Sequence, residues 1–371
     1  MERPVIPAAV DAARAALADP AAVAARWRAD HDGPVIAHLP YDVPAELILA
    51  AGALPVAVFP PGAEQAQAHL QGWICSPARR FLAAARQGEL AWADGLVIPQ
   101  ICDTMRGLKG LWQFLQEPAF LESYNLPRIS RASARPYFAS ELSRLRDRIQ
   151  GFTGRTADDG RLRAAIALCN AVRERTALLF QRRVLGQISN LDYYTLVRAS
   201  YVLPPEEMLA LLGGMDVEDA AVSKPPAVPV VVSGQLMEPL AVAGLLDQCG
   251  LSVVGDDLVD GERAWRTVAE GGDPLAALAE RTLNAPPCAV KNGPVTRETY
   301  LAALVAERGA QGVIFLHFRN CEMENLGYPG TRDHLERLGI PTLYLETQWG
   351  TAAAGAVVTR LEAFREMLEG C

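Results

Sequence analysis

Short apolar runs alternate with longer helical patterns along this chain, and they do so in two separate blocks. In the first block the runs lie at 35–39, 54–59 and 95–99, each bounded by turn residues. Helical patterns separate them. One covers 44–51 and is ended by Gly52; one covers 77–86, with Ser76 as its cap and Pro77 at its first helical position; one covers 104–115 and is opened by Asp103. In the second block the runs lie at 228–232, 251–254, 312–318 and 342–345, and a helical pattern over 352–368 closes the chain. Strands interleaved with helices in this way predict parallel sheets covered on both faces. The expected fold is therefore α/β, with two Rossmann- or flavodoxin-like parallel-sheet lobes, and 371 residues suffice to bury a core in each.

Between the blocks the strand signal vanishes from 140 to 212, where stretches such as LRAAIALCNAVRERTALLF carry helical periodicity. This reads as a helical insert. The stretch 216–229, with Lys224, Pro225 and Pro226 inside it, reads as a linker. Five parts follow: an N-terminal helical segment over 1–32, a first α/β lobe over 33–138, a helical bridge over 139–215, the linker, and a second α/β lobe over 230–371. No repeat at solenoid or propeller periods is visible.

Half of the residues are apolar and 21% are charged, with a net charge of -8. That balance describes a globular chain and argues against nucleic acid as a partner, since phosphate-backbone binding needs a concentrated basic face. The first twenty residues carry acidic side chains and lack the apolar core of a secretory signal, and no apolar run approaches the length of a membrane span. A cytoplasmic location is expected, without a membrane partner. Seven cysteines at irregular spacing do not make a disulfide framework.

Three of those cysteines sit where a strand or loop gives way to a helical pattern. Cys75 precedes Ser76-Pro77, Cys102 precedes Asp103-Thr104, and Cys321 follows the run GVIFLHF in the loop RNCEMEN. A helix N-terminus favours a thiolate, and open α/β sheets hold ligands at the carboxyl ends of their strands. Two readings are open: ligands to a metal or cluster assembled from distant segments, or three small core residues, the commoner state of cysteine. Cys169, in AAIALCNAV, and Cys249, before Gly250, read as core; Cys288 is ambiguous; Cys371 is terminal.

Other groups map to the same sheet edges. Glu46, in the first turn after Pro44, is a candidate acid or base, or simply a partner for the helix dipole. His38 and His317 end strand candidates and are candidate proton carriers, or hydrogen-bonded structural groups. Asp256 and Asp257 read as loop caps facing solvent rather than as magnesium ligands. Arg79, Arg80, Arg106 and Lys109, near the first two cysteines, could offset cluster charge or grip a CoA phosphate, or form a solvated helix face. The chain carries no P-loop, no G-x-G-x-x-G turn and no G-x-S-x-G elbow.

The stretch GWICSPARRFLAAARQGELAWADGLVIPQICDTMRGLKGLWQF resembles the cysteine-bearing core of the benzoyl-CoA reductase and 2-hydroxyacyl-CoA dehydratase family. The likeness extends to PYDVPAELILAAGALPV upstream and to VVVSGQLMEPL, DDLVDGERAW, GDPLAALAER, GVIFLHFRNCE and TRLEAFREML downstream. It implies a [4Fe-4S] cluster on Cys75, Cys102 and Cys321, lying in the cleft between the lobes with one iron open. It also implies one-electron transfer to a CoA thioester through a ketyl radical. The Lys-Ser-Ser-Tyr-Gly segment of double-cubane relatives is missing after Cys75. Around its first two cysteines the chain looks most like the smaller benzoyl-CoA reductase subunit; a 2-hydroxyacyl-CoA dehydratase subunit, or a non-catalytic electron relay in such a complex, is the alternative. The implied partners are a paralogous cluster-bearing subunit or a second copy, an acyl-CoA, and a separate ATP-hydrolysing iron-sulfur activator, ATP not being bound by this chain.

Overall fold

A computed structural model describes residues 5–63, 69–116, 118–129, 131–213, 227–291, 295–351 and 353–370. Helices α1 (Val5–Ala18) and α2 (Pro20–Asp30) come first. Asp19 caps α2 by accepting the Ala22 N–H at 2.9 Å, and Pro20 opens its first turn. The first lobe runs β1 (Val35–His38), α3 (Ala45–Ala50), β2 (Leu54–Ala57), α4 (Ser76–Arg86), β3 (Gly95–Gln100), α5 (Asp103–Gln116) and β4 (Leu121–Asn125). Four helices follow: α6 (Ala134–Thr153), α7 (Asp159–Val184), α8 (Asn190–Ala199) and α9 (Pro205–Leu212). The second lobe runs β5 (Val228–Gly234), α10 (Ala241–Gln248), β6 (Leu251–Asp256), α11 (Pro274–Leu283), α12 (Arg297–Arg308), β7 (Gly312–Phe318), α13 (Glu322–Arg337), β8 (Thr342–Thr347) and α14 (Ala354–Glu369).

Both sheets have four strands, all parallel, in the orders β2-β1-β3-β4 and β6-β5-β7-β8. The order is the same in each lobe. Every residue of β1 and of β7 is buried, as parallel strands covered on both faces require, and that is why they read as unbroken apolar runs. The order reverses between β1 and β3 in one lobe and between β5 and β7 in the other, so each lobe opens a crevice at the carboxyl ends of those pairs.

Four features depart from the sequence reading. Strand β4 was not expected: LESYN has no apolar run, and Glu122 is held on it by Arg148 at 2.6 Å. Helix α4 starts one residue earlier than expected, with Cys75 at its N-cap; Ser76 is no cap, and its hydroxyl accepts the Trp349 N–H at 3.0 Å from the other lobe. Asp256 and Asp257 do not face solvent but are fully buried. The expected linker lies mostly outside the described residues, and its last two residues already belong to β5. Among the described residues no helix is long and apolar enough to cross a membrane.

The lobes meet through their carboxyl edges. Trp349, just past β8, packs edge-on against Phe81 and stacked on Phe318, and its indole N–H donates to the Pro60 carbonyl at 2.8 Å. Gly350 sits at φ 68°, where a Cβ would lie 2.1 Å from the Gly62 carbonyl oxygen, so only glycine permits this backbone approach. Arg263 of the second lobe pairs with Asp42 of the first.

Candidate functional site

The three sequence-predicted cysteines come from three segments on two lobes. Cys75 ends the long connection after β2 and stands at the N-cap position of α4, Cys102 lies between β3 and α5, and Cys321 stands at the N-cap position of α13 after β7. The Cys102 sulfur accepts from the backbone N–H groups of Thr104 and Met105, and that of Cys321 from the N–H of Glu324. These are the unpaired donors of a first helical turn, placed where they favour negative charge. Burial nonetheless pushes both thiols up in pKa; Glu324 and the neighbouring Cys75 push Cys321 further.

One side chain feels all three sulfurs. The buried Tyr41 phenol, in the loop after β1, is held protonated far above its usual range by burial first, then by Cys75, Cys321 and Cys102 in that order. Sequence reasoning did not single out Tyr41. The backbone around the thiols is bent: Asp42, beside Tyr41, has φ 50°, and Asn320, beside Cys321, has φ 60°. Aspartate and asparagine are the side chains that best tolerate this left-handed region. The Tyr124 hydroxyl donates to the Asp42 carbonyl at 2.7 Å and fixes the first of these bends.

Among the described residues no three His, Cys, Asp or Glu side chains converge closely enough to hold a single metal ion. A polynuclear cluster makes a different demand, since each of its cysteines takes a different iron. The donor set fits such a group: soft sulfur ligands, each at the start of a helix, with burial to exclude water. Desolvation makes these thiols hold their protons, and a cation placed among them would offset that cost and displace the protons.

The expected proton carriers stand in different surroundings. His38 is buried at the end of β1, with its Nδ1 3.1 Å from the Leu39 carbonyl oxygen, and burial lowers its pKa to about 4. Glu46 is fully buried in α3, its Oε1 2.5 Å from Arg173 of α7; burial raises its pKa, but Arg173 and Arg281 outweigh it and hold the carboxylate ionised. His317 Nε2 lies 2.9 Å from Glu324 Oε2. Glu324 also accepts from Arg297 at 2.7 Å and from Gln235 at 3.0 Å, so the first turn of α13 is tied to β7, α12 and the loop after β5.

The expected basic cluster is dispersed. Arg80 is buried against the Pro61 carbonyl and Glu89, Lys109 donates to Ser123, and Arg106 reaches Asp103 on the surface. Arg128 is the cation that acts on Cys102. The acidic run of the second lobe is structural. Asp256 accepts from Tyr194 and Arg183, Asp257 from Ser233 and Arg297, and Asp260 from Arg198, which also holds Glu238. Cys169 and Cys249 are buried core thiols, as expected, and Cys288 is buried too; Cys371 lies outside the described residues.

Comparison with known proteins bears on the same span. The family model described as 2-hydroxyglutaryl-CoA dehydratase, D-component, matches residues 40–368. The chain is 29% identical over 336 residues to a subunit of benzoyl-CoA reductase from Thauera aromatica, covering 86% of each. It is 26% identical to the beta subunit of (R)-2-hydroxyglutaryl-CoA dehydratase of Acidaminococcus fermentans, covering 95% of this chain and 96% of that one. To the (R)-phenyllactyl-CoA dehydratase beta subunit of Clostridium sporogenes it is 24% identical, covering 89% and 90%.

Proposed function

The chain belongs to the 2-hydroxyglutaryl-CoA dehydratase, D-component family, and on that premise we propose that it is the iron-sulfur subunit of an ATP-dependent acyl-CoA-reducing enzyme of the benzoyl-CoA reductase type. The observation that supports this reading is that Cys75, Cys102 and Cys321, from two lobes, all act on the Tyr41 phenol. These three residues would hold a [4Fe-4S] cluster with one iron left free of protein ligands. When bound, such a group supplies one low-potential electron to a CoA thioester, on the way to a ketyl radical of the substrate.

The chain's own residues prepare the cleft for that chemistry. Tyr41 keeps its proton and offers a neutral wall beside the thiols. The first turns of α5 and α13 direct N–H groups at Cys102 and Cys321, offsetting negative charge there. Trp349 and Phe81 pack between the lobes and exclude water. We assign proton handling to His38, Glu46 and His317: burial keeps His38 neutral, so it would relay a proton and not hold one, Glu46 stays ionised beside Arg173, and His317 is oriented by Glu324.

A second reading, a 2-hydroxyacyl-CoA dehydratase subunit, is favoured by the dehydratase beta subunits among the relatives. Energy must enter from outside in either case, because the chain has no nucleotide-binding loop. The partners proposed are a paralogous cluster-bearing subunit and a separate ATP-hydrolysing iron-sulfur activator. The test is anaerobic turnover of the paired subunits with reduced activator, given benzoyl-CoA in one arm and an (R)-2-hydroxyacyl-CoA in the other. ATP-dependent loss of benzoyl-CoA is the expected result. Consumption of the hydroxyacyl thioester alone selects the second reading, and turnover without ATP or activator contradicts both. An electron-relay role predicts that the isolated chain binds no acyl-CoA.

A further inference from the structure

The first turn of α13 holds two carboxylates in opposite surroundings: Glu322 is exposed and Glu324 is fully buried. An acidic side chain in a first turn ordinarily complements the helix dipole, and Glu322 does so from solvent. Glu324 needs another reason, because burying a carboxylate is costly unless its charge is matched. Around it stand Arg297 at 2.7 Å, His317 Nε2 at 2.9 Å and Gln235 at 3.0 Å. Of these only Arg297 is a permanent charge, and it is divided: its Nε donates to Asp257 Oδ2 at 3.0 Å while its Nη1 donates to Glu324. Asp257 is fully buried too, and its other donors, the Ser233 hydroxyl and the Gly234 N–H, are neutral. Two buried carboxylates thus share one guanidinium, and the permanent charges of this group leave one negative unit inside the fold.

That charge lies next to a sulfur. Cys321 is at the N-cap position, three residues before Glu324, and residues so spaced are neighbours on a helix. The Glu324 backbone N–H donates to the Cys321 sulfur, and the Glu324 carboxylate is the foremost charge acting on that thiol. On the reading above, in which Cys321 ligates a cluster, we propose that Glu324 is a potential-setting residue whose buried carboxylate lowers the reduction potential of that cluster. Negative charge near an iron-sulfur centre disfavours an added electron, and a buried charge is weakly screened. The first-turn N–H groups pull the other way, and solvent mutes Glu322. The carboxylate therefore biases a cluster held there toward the stronger reductant that a thioester demands.

The full chain, purified anaerobically, is titrated potentiometrically with the electron paramagnetic resonance signal of the reduced cluster as readout, after iron and sulfide have been measured in each variant. Glu324→Gln keeps the side-chain shape and the N–H to Cys321 but removes the charge. At any fixed potential its reduced-to-oxidised ratio should be at least about tenfold that of the parent, a rise of about 59 mV for one electron. Glu324→Asp keeps the charge and should stay near the parent. Glu322→Gln makes the same charge change in the same turn but in solvent, and should move the ratio less than about threefold. Asp257→Asn leaves α13 untouched and gives Arg297 wholly to Glu324; it should shift the ratio in the same direction as Glu324→Gln, and it carries the test if that variant holds no iron. A Glu324 that only anchors the helix would change stability without moving the potential. An unchanged potential in iron-loaded Glu324→Gln, or in Asp257→Asn where Glu324→Gln holds no iron, would overturn the proposal, as would an equal shift in Glu322→Gln. A parent without iron would instead contradict the proposed function on which this role rests.

Discussion

At the scale of the residue, this protein is governed by charges that its sequence hides. Arg173, Arg183, Arg198, Arg263 and Arg297 are all buried, each against at least one carboxylate. In a linear reading such arginines look like solvated helix faces, because the carboxylates that bury them lie dozens of positions away. The cysteines were legible for the opposite reason: each stands at a local boundary between strand or loop and helix. Tyr41 was not, since nothing short of the fold brings it beside three distant sulfurs. His38 supplies a test at this scale. Its pKa falls from 6.5 in the unfolded chain to about 4 in the fold, so its contribution is intact above pH 6.5 and is lost as pH falls toward 4. Compared with His38→Gln, the parent should lose up to about 3 kcal/mol more stability between those pH values, read by urea denaturation. Parallel pH profiles would show that the ring is not buried neutral.

Elements were legible wherever burial on both faces leaves an unbroken apolar run. β1 and β7 announce themselves, while β4 escapes because its polar side chains are satisfied by partners from α6, such as Arg144 and Arg148 to Glu122. The start of α13 shows what a single element owes to its anchors. Its first turn carries Glu324, which Arg297 shares with Asp257, and this holds the Cys321 end of the helix against the second sheet. Arg297→Met strands two buried carboxylates and should cost about 3–5 kcal/mol in chemical denaturation. The double variant Arg297→Met/Glu324→Gln should cost less than the sum of its single changes, since it removes one of the stranded charges. Additive losses would mean that the network is not coupled. Gly350→Ala tests the contact between lobes: a Cβ there meets the Gly62 carbonyl, and a loss of at least about 1 kcal/mol is expected. A neutral result would show that the two backbones do not approach as described.

At the scale of the whole molecule, the two sheets repeat one strand order with their carboxyl edges turned toward each other. The count of lobes could be read from the alternation of strands and helices. Their shared topology could not, because the order of strands in a sheet is set by crossovers that leave no periodic mark in the chain. Cys75 and Cys102 of one lobe and Cys321 of the other all act on the Tyr41 phenol, and the functional account stands or falls on the proposal that the three meet around one cluster. The direct measurement is iron and sulfide content, with the electron paramagnetic resonance spectrum of the reduced protein, for anaerobically purified parent and for four single alanine variants. About four iron and four sulfide per chain are predicted for the parent and for Cys169→Ala. Loss of most of both, with loss of the cluster signal, is predicted for Cys75→Ala, Cys102→Ala and Cys321→Ala. A full complement of iron and sulfide in all three would contradict the account.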